Sequence, residues 1–242
     1  MEPQAFAEHF DLEDTHWWFR SKRTLVVSLL RRYGTLGGPG LDVGCGAGGT
    51  LAVLGAHGTW VGVDAEPLAL ALSRRRGLRR LAGGVAEALP FRECTFAACL
   101  CLDLLYHRKV GSEVAALREC HRVLRSGGLL VVTDSAFKWL RSAHDGAVHG
   151  ARRYTRHELV ERVRAAGFTP LLASYAYCLV FPAVAAVRLA RRGRPGGSDV
   201  FPLPRPLNAL LLGVQAVERG LLRLVPLPFG SSVVLVARKA AA

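Results

Sequence analysis

Short apolar runs alternate along the chain with segments of helical periodicity. Runs of strand length occur at 40–43, 60–64, 80–83, 96–101 and 128–133, and helical patterns at 50–57, 67–76 and 111–124 lie between them. A helix at 155–166, with Thr155 and Glu158 as a capping box, and strands at 168–177 and 232–238 complete the pattern. Strands that alternate with helices predict an α/β fold with a mainly parallel sheet and helices on both faces. Ser126-Gly127-Gly128 is expected to end the helix before the fifth strand.

Residues 179–230 have a different character and predict a helical insertion between the last two strands. They contain seven prolines, and the apolar residues of 207–224 recur at helical spacing, with Glu218, Arg219 and Arg223 off the stripe. Such an amphipathic helix covers an active site, forms a dimer or rests on a membrane, and the sequence leaves all three open. Pro182 and the nearby tyrosines argue against a membrane span.

Composition narrows the class of protein. The chain has 242 residues, half of them hydrophobic, which suits one domain with an elaboration. Its formal net charge of +13 comes mainly from scattered arginines. Because scattered arginines show no basic patch, nucleic acid is not the expected partner. Acidic substrates or an anionic membrane remain open as partners.

The cysteines and the first residues bear on location and on metals. None of the six cysteines forms a C-x-x-C pair, so no metal site is expected, and Cys99 and Cys101 are interpreted as small core residues. The acidic N-terminus has no apolar signal-peptide core, so a reducing cytoplasm is the expected location.

The strongest chemical signal is the glycine-rich stretch from Leu41 to Gly49. A buried strand ends there in a loop whose glycines allow close approach of a ligand, and a helix start near Thr50 faces the same loop. Asp64 ends the next strand, where an acid can accept hydrogen bonds from both hydroxyls of a ribose. Gly44, Gly46 and Gly49 also fit the dinucleotide fingerprint.

Two details favour S-adenosylmethionine over a dinucleotide. Asp42 precedes the loop, where a carboxylate suits a cationic ammonium group and repels a pyrophosphate. The chain downstream contains no second mononucleotide-binding half.

Five segments in order resemble the class I S-adenosylmethionine-dependent methyltransferases, specifically the bacterial type-11, ubiquinone-biosynthesis-like group. They are Leu41 to Gly49, Val61 to Asp64, Glu87 to Phe91, Leu102 to His107 and Arg122 to Gly128, with Ser126 in place of the usual proline. The resemblance implies a Rossmann-like seven-stranded sheet whose last strand is antiparallel. It also implies the cofactor, with S-adenosylhomocysteine as the product. The cofactor-binding residues expected from it and from the loop are Asp42, Gly44, Cys45, Gly46, Gly48, Asp64, Ala65, Val85, Ala86, Glu87, Leu102 and Asp103.

One position departs from the family pattern. Relatives carry an acid where this chain has Val85, and there the acid bonds the adenine amino group. Valine accepts no hydrogen bond, so adenine is expected to rest on the backbone near Ala86 and on Leu89 and Phe91. Losing one such bond typically costs about 0.5–1.5 kcal/mol.

Residues outside these motifs are candidates for binding the acceptor. The segments His16 to Arg20, Ser142 to Asp145 and Arg152 to Thr155 resemble a narrower bacterial subgroup. Catalytic candidates are His107, His149 and Tyr154, and substrate-binding candidates are His16, Trp17, His144 and Arg153. The alternatives are surface or loop positions for the histidines, an apolar wall for Tyr154, plain helix packing for Trp17 and a helix cap for Asp103.

The organisation that follows has three parts. Residues 1–34 form a helical lid, 35–178 and 231–242 form the cofactor-binding core, and 179–230 form a cap. His16, Trp17, His107, His149 and Tyr154 are expected to line one pocket under that cap. The expected function is in-line methyl transfer to a small or lipid-like, partly hydrophobic acceptor. The alternatives are a cofactor-binding protein that does not methylate and, lower, an RNA methyltransferase.

Overall fold

A computed structural model describes residues 10–142, 145–146, 148–190 and 200–240. Its centre is a seven-stranded sheet in the order β3-β2-β1-β4-β5-β7-β6, in which β7 runs antiparallel to both neighbours. The strands are β1 Gly40–Val43, β2 Trp60–Asp64, β3 Leu81–Gly83, β4 Phe96–Leu102, β5 Leu124–Ser135, β6 Phe168–Ala176 and β7 Ser232–Lys239. This sheet confirms the predicted fold class.

Seven helices surround the sheet in the described part of the chain, besides short helical turns. They are α1 Trp17–Arg32, α2 Gly49–Leu54, α3 Pro67–Arg75, α4 Glu113–Val123, α5 Arg156–Ala165, α6 Phe181–Ala190 and α7 Arg205–Leu224. The predicted capping box at the start of α5 is confirmed, since Thr155 Oγ1 accepts from Glu158 N–H and the Glu158 carboxylate accepts from Thr155 N–H. No helix among these residues has the length and apolarity to cross a membrane.

Alternate residues of the central strands point to opposite faces of the sheet, and each face carries its own core. Cys99 and Cys101 of β4 lie in one core, as predicted, together with Cys120 of α4. The Cys101 and Cys120 sulfurs are 3.5 Å apart. Leu100 faces the opposite core with α1 and α2. Because β4 is buried along its whole length, it is the centre of the domain.

The end of α4 differs from the prediction. The helix ends at Val123 and β5 begins at Leu124, so Ser126-Gly127-Gly128 lies inside the strand segment and does not end the helix. Phe96 of β4 pairs with Leu124 before a register shift, and this pairing draws the chain into the sheet early. Gly127, at φ +71°, occupies the resulting irregular stretch.

The parallel order brings the ends of four strands to one sheet edge. Val43, Asp64, Leu102 and Ser135 end β1, β2, β4 and β5 there. Open α/β sheets bind ligands outside the carboxyl ends of their strands. The glycine loop begins at this edge.

Candidate functional site

The glycine loop leaves β1 through three left-handed residues. Gly44, Gly46 and Gly48 have φ angles of +72°, +56° and +81°. Only Gly46 faces open space, because a Cβ on Gly44 or Gly48 would lie 2.8 Å from Leu104 or 2.4 Å from Leu78. Packing against Leu104 and Leu78 accounts for glycine at positions 44 and 48, whereas glycine at position 46 leaves open space at the cleft.

Asp64 ties this loop to the end of β2. Its Oδ2 accepts from the Gly46 N–H at 2.9 Å, and its Oδ1 accepts from the Glu66 N–H at 2.9 Å. Burial raises the Asp64 pKa, and these two N–H groups oppose the rise. Each carboxylate oxygen has a second lone pair, so the group can still accept hydrogen bonds from hydroxyls.

A cleft opens between this loop and α1. It contains about 770 Å³ of empty space, counting the part open to solvent, and Trp18, Phe19 and Tyr106 form its aromatic walls. Leu102 lies at its base, and Cys45 and Ala47 belong to its loop side.

Opposite charges face one another in the cleft. Lys22 Nζ lies 2.6 Å from Asp103 Oδ2 and 4.0 Å from the centre of the Trp18 ring. Arg23 and Glu13 line the same space. Asp42 is fully buried at the base, and burial raises its pKa to about 7, with Lys22 lowering it. Asp103 has a φ of +53°, an uncommon value for a residue other than glycine.

Two arginines bind the segment before α1 to the glycine loop and to the start of α2. Arg76 binds Glu13 at 2.9 Å and Asp14 at 2.6 Å, and its Nε donates to the Ala47 carbonyl of the loop. Arg23 binds Asp14 and the carbonyls of Glu13 and Gly49. The N-terminal segment is therefore a wall of the cleft.

This donor set fits S-adenosylmethionine. The amino-acid end of that cofactor carries a carboxylate and an ammonium group, and the cleft offers Lys22 and Arg23 for the first and Asp42 and Asp103 for the second. Gly46 keeps open the space that a side chain would fill.

The neighbourhood expected to hold adenine contains little hydrogen-bonding capacity from side chains. Val85 is 50 % exposed, whereas Ala86 and Leu89 are buried. The Glu87 carboxylate instead accepts from the Gly111 N–H at 2.6 Å, just before α4. Ala65 is exposed beside Asp64.

The five side chains expected in one pocket lie in three different places, so that expectation is wrong. His16 caps α1 by accepting from the Trp18 N–H, and the Trp17 ring packs edge-on against Tyr177. His107 and His149 form a separate pair with ring centres 5.7 Å apart. None of the five lines the cleft between the glycine loop and α1.

Burial lowers the pKa values of two of the candidate histidines. It lowers the His16 pKa, and it lowers the His107 pKa to about 4, with His149 contributing. Both histidines are therefore neutral at pH 7. His149 has a φ of +56°, and its Nε2 lies 3.2 Å from an Arg108 nitrogen.

Tyr154 and Arg153 lie in the interior, next to the segment after β5. Tyr154 is 1 % exposed, and its hydroxyl donates to the Leu105 carbonyl at 2.9 Å. Arg153 binds the buried Asp145 carboxylate at 2.7 Å and the Ala136 carbonyl at 2.8 Å. These bonds hold the segment in place. His144 lies outside the described residues.

The sequence suggested Lys22 and Arg23 only as a polar rim of an aromatic lid over the acceptor, and it gave no role to Arg76. Lys22 and Arg23 follow Trp18 and Phe19 by four residues, so a helical wheel would have placed them on the face of α1 that lines the cleft. Arg76 carries no such local signal, because its partners Glu13 and Asp14 lie more than 60 residues away.

Comparison with known proteins agrees with this geometry. Residues 41–132 match the family described as a methyltransferase domain. A 24-methylenesterol C-methyltransferase 2 of Oryza sativa subsp. japonica is 30% identical over an alignment of 126 residues that covers 47% of this chain and 34% of that protein. The chain thus spans about one third of the length of that relative.

Two solved structures share the fold over most of their length. One is described as a possible histamine N-methyltransferase from Thermotoga maritima, at TM-score 0.66 and 20% identity, covering 98% of this chain and 95% of the other. The second is a geranyl diphosphate methyltransferase in complex with S-adenosylmethionine, at TM-score 0.60 and 16% identity, covering 90% and 85%. The family match thus covers residues 41–132, and the two solved structures show that the chain as a whole shares the fold of these methyltransferases.

Proposed function

We propose that the protein transfers a methyl group from S-adenosylmethionine to a small or lipid-like acceptor that is largely hydrophobic. One observation carries the proposal: the cleft combines paired acids and cations with an aromatic wall beside an open glycine loop. The charged part suits the amino-acid end of the cofactor, and the aromatic part suits an apolar acceptor.

Two relatives support the class of acceptor. The sterol methyltransferase and the geranyl diphosphate methyltransferase are both named for acceptors with large apolar parts. The cleft has an apolar part as well, since Trp18, Phe19 and Tyr106 line it.

The roles in the cleft follow from position and charge. When bound, the cofactor supplies a sulfonium-linked methyl group that an acceptor lone pair can attack. Within the proposal, Lys22 and Arg23 bind the carboxylate, Asp42 and Asp103 bind the ammonium group, and Asp64 binds the ribose. Trp18 and Phe19 exclude water, so the protein acts mainly by positioning and desolvation.

The proposal extends to location and partners. We place the activity in the cytoplasm, because all six cysteines are free thiols. Residues 179–225 then contact either an anionic membrane or a second copy of the chain, since α7 presents apolar residues at the surface.

A titration followed by a transfer assay tests the proposal. We expect calorimetry to show S-adenosylmethionine binding to the wild type and none to Gly46→Val. Labelled methyl groups should then pass from the cofactor to the organic-extractable fraction of a cell extract. Label found only in macromolecules or water-soluble products would contradict the proposed acceptor class.

Val85 favours a second candidate, a protein that binds the cofactor without transferring its methyl group. Val85 is exposed at a position where the family resemblance implies an acid that binds adenine, and the loss of that acid would change how the cofactor is held. Tight binding of S-adenosylmethionine with no label in any fraction would support this candidate over methyl transfer.

A further inference from the structure

The α7 helix packs Leu211, Val214 and Leu222 against the core and presents a second line of apolar residues outward. Leu210, Val217 and Leu224 are 63, 59 and 79 % exposed, and their spacing of seven residues places them on one line along the helix. Leu207 and Leu221 continue that line, and both are exposed. Between Arg205 and Glu218 the chain has no charged residue. The outer surface of the helix is therefore a continuous apolar stripe.

Polar side chains hold the helix in this orientation. The Glu218 carboxylate is buried and accepts from the N–H groups of Tyr177 and Leu179. Asn208 accepts from the Trp17 N–H at 2.7 Å and donates to the Thr15 carbonyl at 3.0 Å. Rotating α7 to bury its leucines would break these bonds and leave buried polar groups unpaired. The outward stripe is thus fixed by the fold.

The charged residues beside the stripe favour an anionic surface as its binding partner. Arg205 and Arg223 are exposed at the two ends of the helix, and the only acid of α7, Glu218, is buried on the inner side. A second copy of this helix would bring arginines against arginines, with no exposed acid on either helix to pair with them. An anionic lipid surface instead offers negative headgroups to the arginines and acyl chains to the leucines.

We propose that α7 lies in the surface of an anionic lipid bilayer, with its apolar stripe among the acyl chains. The helix is bonded through Asn208 to the start of α1, whose Trp18 and Lys22 line the cleft. A bilayer under α7 would therefore lie beside the cleft wall, and an acceptor dissolved in lipid would reach it without crossing water. This last step rests on the proposed function, whereas the binding to lipid does not.

Vesicle flotation with the full chain tests the proposal. We expect the wild type to float with vesicles of phosphatidylcholine and 30% phosphatidylglycerol, to bind pure phosphatidylcholine at least tenfold less, and to dissociate as salt rises. Leu210→Glu/Val217→Glu should lower binding to the anionic vesicles at least tenfold. Arg205→Gln/Arg223→Gln should weaken the dependence on phosphatidylglycerol.

A charge-matched control separates the stripe from a general effect of added negative charge. Leu68→Glu/Leu171→Glu places the same two charges at exposed leucines of α3 and β6, and it should bind vesicles within twofold of the wild type. Far-ultraviolet circular dichroism checks that every variant is folded, and calorimetric titration with S-adenosylhomocysteine measures cofactor binding separately. Vesicle binding without cofactor binding would refute the proposed function alone.

Two results would overturn the membrane proposal. One is equal loss of vesicle binding in the stripe variant and the control. The other is a wild-type dimer in sedimentation velocity that Leu210→Glu/Val217→Glu dissociates while no vesicles bind, because the stripe would then belong to a second copy of the chain.

Discussion

The glycine-loop side of the cleft and the α1–α7 side are held by different kinds of contact. On the loop side, Asp64 binds the N–H groups of Gly46 and Glu66, which lie within 18 residues of it along the chain. On the other side, Asn208 binds Trp17 across 191 residues, and Glu218 binds Tyr177 across 41. The first side is built from a local motif and the second from single side chains that join distant segments.

This difference predicts how each side fails. A change in the loop should remove ligand binding and leave the domain folded, because the sheet beneath does not depend on it. A change in the long-range bonds should loosen the fold first, because each bond fixes the position of a whole helix. The following variants test that distinction, from the largest expected effect to the smallest.

Glu218→Ala should give the largest loss, about 3–4 kcal/mol in the free energy of unfolding. It leaves the buried Tyr177 N–H and the partly buried Leu179 N–H unpaired, at a position where the Tyr177 φ of +62° is already unfavourable. Urea denaturation measures the loss. The control Leu210→Ala, at an exposed site of the same helix, should change stability by no more than about 0.5 kcal/mol. Equal effects would contradict the account of how α7 is held.

The Glu218 carboxyl group should also make the stability of the protein depend on pH. Burial raises the Glu218 pKa above its ordinary 4.5, although the N–H groups of Leu179 and Tyr177 oppose the rise. A raised pKa in the folded state means that this group favours folding when protonated and loses that contribution as pH rises above 4.5. The free energy of unfolding of the wild type should therefore fall relative to that of Glu218→Gln as pH rises from 4.5 through the raised pKa. A difference that stays constant with pH would show that the pKa is not raised.

Gly46→Val should reduce S-adenosylmethionine binding at least 100-fold, about 2.7 kcal/mol, while the sheet stays folded. A branched side chain disfavours φ +56° and fills the open space of the cleft. Gly34→Val is the matched control, since Gly34 has φ +84° with nothing near its Cβ but lies beyond the far end of α1. It should cost stability and spare binding, as calorimetry and urea denaturation together would show.

Asp64→Ala should weaken S-adenosylmethionine by about 1.5–3 kcal/mol, because a charged hydrogen-bond partner is lost. Glu66→Ala removes an acid two residues away whose carboxylate pairs with Lys109 at the surface, and it should change the dissociation constant less than threefold. Unchanged affinity in a folded Asp64→Ala protein would refute the ribose assignment.

Val85→Asp should have the smallest effect and the opposite sign. The resemblance to methyltransferases implies an acid beside adenine at this position, and the half-exposed site has room for one. We expect binding to tighten by about 0.5–1.5 kcal/mol in a calorimetric titration. Weaker binding would show that adenine lies elsewhere.

The sequence predicted the loop side well because its signals are local. The predicted bounds of β1 and β2 match the structure, and those of β6 and β7 agree within one residue. The capping box at Thr155 and Glu158 needs only residues three apart. Glycine loops and caps are set by a few neighbouring residues, so a short pattern is enough to find them.

The α1–α7 side of the cleft was predicted poorly, because its contacts join residues that are distant along the chain. Nothing near Asn208 in the sequence indicates that it binds Trp17, and nothing near Arg76 indicates Asp14. The helical spacing of apolar residues in 207–224 was identified correctly, but Leu211 and Val214 of the predicted stripe pack against the core. The outward direction of the rest depends on Glu218 and Asn208. The expected single pocket failed for the same reason, since strand order alone does not place side chains from separate segments together.

The central claim is that the cleft between α1 and the glycine loop holds the charged amino-acid end of the cofactor. Comparing S-adenosylhomocysteine with methylthioadenosine, which lacks that end, tests it directly when both are titrated into the wild type and Lys22→Met. We predict that the wild type prefers S-adenosylhomocysteine at least tenfold. Lys22→Met should lose most of that preference and bind methylthioadenosine unchanged. An equal loss for both ligands, or an undiminished preference in Lys22→Met, would contradict the assignment.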